Sequence, residues 1–137
     1  MSDTTNGAAF DLDTIDLGAA AEQGATMQLL HPVTAEPVGV TFEVMGKDAP
    51  TYRKNLRKLR DMLAKQEDDE DDPDRAELLA LARLAACAVR GWSDTVQWQG
   101  APLPYSFENA VMVFSARPWV AEQVAFFRDR RANFFKV

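Results

Sequence analysis

The stretch that most constrains the fold is residues 105–135, which hold six of the chain's eight phenylalanines. Ser106 is a good N-cap, because its hydroxyl can accept hydrogen bonds from the free backbone N–H groups of a first helical turn. Pro118 ends that helix at the residue before it and suits the first position of the next helix. The stretch therefore predicts two aromatic helices, near residues 106–116 and 118–133.

The end of this stretch carries an aromatic pair, Phe134 and Phe135. The last residues of a chain are usually polar and frayed. Two phenylalanines there are expected either to dock back onto the domain or to meet a partner. Docking is the favoured interpretation.

Two further helices are indicated by apolar residues spaced three and four positions apart, near residues 50–66 and 75–90. Asp48 and Asp74 are the expected caps of these helices. Gly91 is expected as the glycine that follows the second one. That second helix is apolar on more than one face, which predicts that it is the central, most buried helix.

The N-terminal part begins with residues 1–9, a polar segment without periodicity that we expect to be disordered. A short helix is predicted near residues 13–23. Asp13 is its expected cap, and Gly24 is its expected end.

A β-hairpin is predicted at about residues 26–45. Its strands are expected at residues 26–30 and 38–45, because apolar and polar side chains alternate in the second of these segments. The sequence HPVTAEP between them is typical of a turn. A hairpin of two strands is only marginally stable alone, so we expect it to lean on a helix or on another chain.

The acidic run EDDEDDPD at residues 67–74 carries seven carboxylates, whereas the whole chain has a net charge of −6. The remainder is therefore nearly neutral, which argues against nucleic-acid binding, since that function requires a basic face. A calcium loop beginning at Asp68 would need glycine where Pro73 stands and a carboxylate where Leu79 stands. We expect a solvated loop that separates two helices, with electrostatic contact to a basic partner segment as the alternative.

Together these patterns predict a mainly α (α+β) fold, a small helical domain with an N-terminal β-hairpin. We expect one domain over residues 10–137, with its helical body at about residues 50–133. The sequence has no apolar run of about 18 residues and no basic segment leading into an apolar one. We therefore expect neither a membrane span nor a signal peptide.

No arrangement of residues predicts catalysis. His31 precedes Pro32 without a second histidine or a neighbouring nucleophile, so a plain turn or surface histidine is favoured. Cys87 lies among alanines with nothing nearby to lower its pKa, which favours a small core residue over a nucleophile. We expect no enzyme activity, no metal and no cofactor. A small enzyme or regulator that uses either residue is the alternative.

Aromatic residues are the candidate partner-binding positions, because tryptophan is enriched at the centres of interfaces. Tryptophans in a small helical domain are also commonly core residues, and the sequence does not divide these two roles. The candidates are Trp92, Trp98, Phe107, Trp119, Phe126, Phe127 and Phe134.

The order of motifs resembles the tail assembly chaperones of long-tailed bacteriophages and prophages. The resemblance covers roughly residues 10–135. It depends on GKD at 46–48 followed by Tyr52 and Arg53, on Gly91-Trp92, on FENA at 107–110, on Pro118-Trp119 and on the aromatic residues from Phe126 to Phe134.

The resemblance implies a protein without catalysis that binds the tape measure protein and keeps it soluble while the tail tube assembles. It further implies the bacterial host cytoplasm as location, absence from the mature virion, and in many cases a longer form made by ribosomal frameshifting. Tail tube protein and copies of the chain itself are further expected partners. A permanent structural component of a phage tail or particle is the alternative.

Overall fold

The protein is described here by a computed structural model, in which residues 8–66 and 71–136 are defined. Residues 1–7 of the segment 1–9 that is predicted to be disordered, and residues 67–70 of the predicted acidic loop at 67–74, lie outside the described residues. The described elements are α1 (Leu17–Gln23), β1 (Ala25–Leu30), β2 (Pro37–Val44), α2 (Pro50–Lys65), α3 (Pro73–Ala88), β3 (Val89–Trp92), β4 (Gln97–Trp98), β5 (Ala101–Pro102), α4 (Phe107–Ala116) and α5 (Pro118–Asp129). The mainly α, α+β fold class and the N-terminal hairpin are confirmed.

The sequence located some helix ends correctly. Ser106 caps α4, and its hydroxyl oxygen accepts from the N–H of Asn109 at 3.0 Å. Pro118 opens α5. Gly24 ends α1 with φ of 78°, a left-handed conformation that favours glycine.

Three predicted caps are wrong. The carboxylate of Asp16, not Asp13, accepts from the N–H of Ala19 at 2.9 Å and starts α1 at Leu17. Asp72, not Asp74, caps α3, because Pro73 takes the first helical position. The cap residue of α2 is Ala49, with no side-chain cap, and the predicted Asp48 is instead paired with a residue near the C-terminus.

A third strand, which the sequence did not predict, pairs with the hairpin. The antiparallel sheet has the order β1-β2-β3, and Phe42 of β2 pairs with Trp92 of β3. Gly91, predicted to follow a helix, lies within β3 opposite Glu43. The predicted helix near 75–90 ends at Ala88, where the chain turns extended and the Ala88 carbonyl accepts from Met45 N–H at 2.8 Å. The neighbour that the hairpin requires is therefore supplied by the chain itself.

The core lies where the sheet meets α3, α4 and α5. Phe114, Val44 and Val124 are at most 1% exposed. The C-terminal half of α3 presents alanines to this core, which allows α4 and α5 to approach closely. The prediction that α3 is the most buried helix does not hold for its N-terminal half, where Leu78 is exposed, and within the C-terminal half Leu84 is exposed as well.

The C-terminal segment docks onto the domain, as predicted. The α5 helix ends at Asp129, short of the predicted residue 133, and a 3-10 turn follows. The guanidinium of Arg131 donates to both carboxylate oxygens of Asp48, at 2.8 and 3.0 Å. The Phe134 ring packs edge-on against Phe127, with centroids 5.5 Å apart.

Gly46 is where this docking is most sensitive to substitution. A Cβ atom at Gly46 would lie 2.8 Å from the Cβ of Ala21 and 2.9 Å from the Phe134 ring. We expect Gly46→Ala to lower the free energy of unfolding by about 1–3 kcal/mol, because overpacking forces neighbours to shift. Urea denaturation measures this loss. Gly91→Ala is the matched control, since no atom lies within 4 Å of its added Cβ. Equal effects of the two substitutions would contradict the docked position of Phe134.

Candidate functional site: an apolar groove between β1 and α5

A groove runs between the strand β1 and the helix α5. Its volume is about 520 Å³. One wall comes from β1 and the residues after it, and the other from α5. The lining residues are Met27, Gln28, Leu30, Pro32, Trp119, Glu122, Gln123, Phe126 and Phe127.

The spacing of residues in α5 explains why it presents an apolar face to this groove. Its lining positions recur at intervals of three and one, which places them on one side of a helix. Ala121 and Val124 lie on the other side of the helix and are buried in the core, whereas Val120, also buried, lies beside Phe127 between the two sides. The groove side is only partly covered by this chain: Trp119 and Phe127 are half-buried, whereas Phe126 is exposed.

Phe126 is the most exposed aromatic residue of the groove, with 70% of its surface accessible. A large aromatic side chain exposed beside a groove is an expected anchor for a partner. Glu122 is a carboxylate in the same lining.

Gln123 fixes the two walls of the groove to each other. Its side-chain oxygen accepts from the N–H of Leu30 at 3.0 Å, and its side-chain nitrogen donates to the Leu30 carbonyl at 2.8 Å. The Gln123 amide thus forms the same two hydrogen bonds with the Leu30 backbone that a residue of a neighbouring strand would form. Because β1 is an edge strand, this contact also satisfies backbone groups that would otherwise be free.

We expect Gln123→Ala to lower the free energy of unfolding by about 1–3 kcal/mol, because two hydrogen bonds to Leu30 are lost and each contributes about 0.5–1.5 kcal/mol. Chemical denaturation measures the change. Gln28→Ala is the control, since Gln28 lines the same groove and is exposed. If both substitutions had the same small effect, Gln123 would not hold the groove together.

The structure brings together three of the seven aromatic residues proposed from sequence, namely Trp119, Phe126 and Phe127. It places the others elsewhere. Trp92 belongs largely to the core, where its indole N–H donates to the Leu103 carbonyl at 2.9 Å and its ring packs edge-on against Phe42.

The remaining candidates line other surfaces. Trp98 lies beneath the guanidinium of Arg117, which is 5.3 Å from the ring centroid, in a cleft of about 270 Å³ that also contacts Trp92 and Trp119. Phe107 lines a separate cleft between α2 and α3. Phe134 is part of the docked C-terminus.

Sequence reasoning missed the strand wall of the groove, Met27, Leu30 and Pro32, and it missed Gln123. Gln123 offered a weak signal, as a polar residue next to the apolar positions of α5. Nothing local connects it to Leu30, which is 93 residues away.

The two residues considered for catalysis, Cys87 and His31, both have structural roles. Cys87 is 1% exposed, and burial raises the pKa of its thiol to about 11, whereas reactive cysteines have a lowered pKa. The Nδ1 atom of His31 accepts from the N–H groups of Val33 and Thr34, at 3.1 and 3.3 Å, and so stabilises its turn.

Metal and membrane features can be described for the defined ranges. Within residues 8–66 and 71–136, no cluster of three or more His, Cys, Asp or Glu side chains is placed to hold a metal ion. Among the helices of the same ranges, none combines the length and the apolar character needed to cross a bilayer.

Residues 47–136, more than half of the chain, match the sequence model of a protein family carried by prophages. The chain is therefore a prophage protein. It belongs to the YdaY prophage protein family. The matched region contains α2 to α5, and thus the helical wall of the groove, whereas β1 precedes it. No curated protein and no solved structure matches the chain significantly.

Proposed function

We propose that this prophage protein is a tail assembly chaperone that binds the tape measure protein and keeps it soluble while the tail tube assembles. The observation that carries the proposal is the open groove between β1 and α5 with Phe126 exposed beside it. Family membership supports the proposal, because it assigns the chain to prophage proteins.

The groove suits a helical client. An amphipathic helix binds a groove through apolar side chains at positions i, i+3 or i+4, and i+7. Trp119, Phe126 and Phe127 offer ring surfaces along one side, and Leu30 and Pro32 offer aliphatic surface along the other. A tape measure protein is long and largely helical, so it would present many such faces to successive chaperone molecules.

The proposed activity is to bind the tape measure protein and keep it in solution, and it requires no catalytic group, cofactor or metal. The protein would act in the bacterial host cytoplasm and leave the tail before the virion matures. Trp92, Trp98, Phe107 and Phe134 are not needed for a client at this groove, because they line other parts of the molecule.

Co-expression with the tape measure protein of the same prophage tests the proposal. We expect the tape measure protein to move from the insoluble to the soluble fraction and to co-purify with the chain. If it stays insoluble both with this chain and with a frameshift-extended form, the proposal is wrong.

Mass spectrometry of purified virions separates the proposal from a permanent structural role. A chaperone that is shed is expected to be absent from particles in which the tail tube protein is abundant. A stoichiometric amount of the chain in those particles would instead identify it as a tail component.

A further inference from the structure

A cleft with an acidic rim lies along the N-terminal half of α3. Its volume is about 480 Å³, and it is lined by Asp74, Glu77, Leu78, Leu81 and Glu122. Leu78 is 37% exposed. Within residues 8–66 and 71–136, the carboxylates of Asp74, Glu77 and Glu122 form no ion pair. The cleft therefore combines exposed aliphatic surface with three carboxylates that have no ion-pair partner among the described residues.

A second cleft, between α2 and the C-terminal half of α3, has the opposite charge. Its volume is about 350 Å³, and Lys58, Leu59, Met62 and Phe107 are among its lining residues. Met62 is 40% exposed.

Lysines lie along one edge of this second cleft, on α2. Lys54 and Lys65 lie on the same side of the helix as Lys58, because they are four and seven residues from it. Asp61, the one acidic residue of α2, lies on the same side, three residues after Lys58 and four before Lys65, so this side carries three positive charges against one negative charge. Among the described residues, none of these three lysines forms an ion pair.

The two clefts face away from each other. Successive residues of an α-helix are rotated by about 100°, so Cys87, which lines the basic cleft, lies on the opposite side of α3 from Leu78 of the acidic cleft. The clefts share no lining residue. A contact between the basic cleft of one molecule and the acidic cleft of another is therefore heterologous, and such contacts produce rings or open filaments.

We propose that copies of this chain associate head to tail, with the basic cleft of one copy against the acidic cleft of the next. Charge complementarity selects a second copy as the occupant, since lysines around Met62 would meet carboxylates around Leu78. Exposed apolar surface at both clefts would be covered by the same contact. This inference does not depend on the proposed function, because the groove between β1 and α5 is a different surface that adjoins the acidic cleft only at Glu122.

The association is expected to be salt-sensitive. Exposed charges attract across a Debye length of about 30 Å at about 0.01 M salt and about 3 Å at about 1 M. Sedimentation velocity of the purified chain should show association that increases with protein concentration at low salt and that is lost at high salt. A monomer at every protein concentration in low salt would overturn the proposal and leave the basic cleft to another occupant.

Reversing the charges tests which surfaces meet. The double substitutions K54E/K58E and D74K/E77K each place like charges at both clefts, so each variant alone should remain monomeric at low salt. Mixing the two variants restores opposite charges at every contact, so the mixture should associate as the wild type does. Failure of the mixture to associate, or undiminished association of either variant alone, would overturn the proposal.

The control is R57E/R60E, which changes the charge by the same amount as K54E/K58E. Both arginines are exposed and lie on the opposite side of α2 from the basic cleft. This variant should associate as the wild type does. Loss of association in the control would show that net charge, and not the basic cleft, controls assembly, and it would overturn the assigned contact. Circular dichroism of all variants establishes that their helices are intact.

Discussion

Replacing Phe114 with alanine is expected to lower the free energy of unfolding by about 3–5 kcal/mol, because a large aromatic side chain leaves a cavity when it is removed from a core. Phe114 is 0% exposed and packs edge-on against Phe42, with ring centroids 6.0 Å apart. The loss is a large part of the stability of a typical domain, about 5–15 kcal/mol. Urea denaturation followed by circular dichroism measures it.

Phe126→Ala is the matched control for this prediction. It removes the same side chain from an exposed position in the neighbouring helix. We expect a change within about 0.5 kcal/mol, as is usual for surface substitutions. A large loss at Phe126, or a small one at Phe114, would contradict the assignment of these two residues to groove and core.

Under the proposed function, replacing Phe126 with aspartate is expected to weaken binding of the tape measure protein by at least tenfold, which corresponds to about 1.4 kcal/mol. An aromatic anchor is lost, and a carboxylate must be desolvated in an apolar contact. The thermal unfolding temperature of the free chain should not change, since the side chain is exposed. Titration of an immobilised tape measure fragment measures the affinity.

Phe10→Asp controls for this substitution. Phe10 is 64% exposed, and it does not line the groove. Its variant should bind as tightly as the wild type. Equal losses in both variants would mean that binding responds to general surface hydrophobicity and not to the groove.

Local signals in the sequence predicted much of the fold. Ser106, Pro118 and Gly24 act on the backbone of their immediate neighbours, so their effects do not depend on distant parts of the chain. The wrong cap predictions at Asp13 and Asp74 also concern a choice among residues that are close in sequence. Several aspartates precede or begin each of these helices, and at α3 Pro73 decided between them by taking the first helical position.

The third strand could not be read from local signals in this way. Val89 continues directly from an alanine-rich helix, and Gly91 is a residue type that commonly follows a helix. The strand forms because Phe42 and Glu43, more than forty residues earlier, provide backbone partners. Val89 and Trp92 are residue types enriched in strands, and they were the only local indication.

The candidate site, like the fold, could be predicted from the sequence only in part. The sequence identified Trp119, Phe126 and Phe127 as aromatic residues of one helix. It did not distinguish the groove face of α5 from the core face, because both faces are apolar. The packing of α3 and α4 against α5 determines which face is covered, and Gln123 fixes β1 beside the face that remains open.

Hydrogen–deuterium exchange of the chain, alone and bound to the tape measure protein, tests most directly whether the groove between β1 and α5 is the client site. Exchange of backbone amides reports local opening, so an occupant of the groove should slow exchange in Ala25–Leu30 and in Pro118–Asp129. We expect the slowing to be greatest in these two segments and absent from Pro50–Lys65. Protection confined to Pro50–Lys65, with β1 and α5 unchanged, would contradict the account.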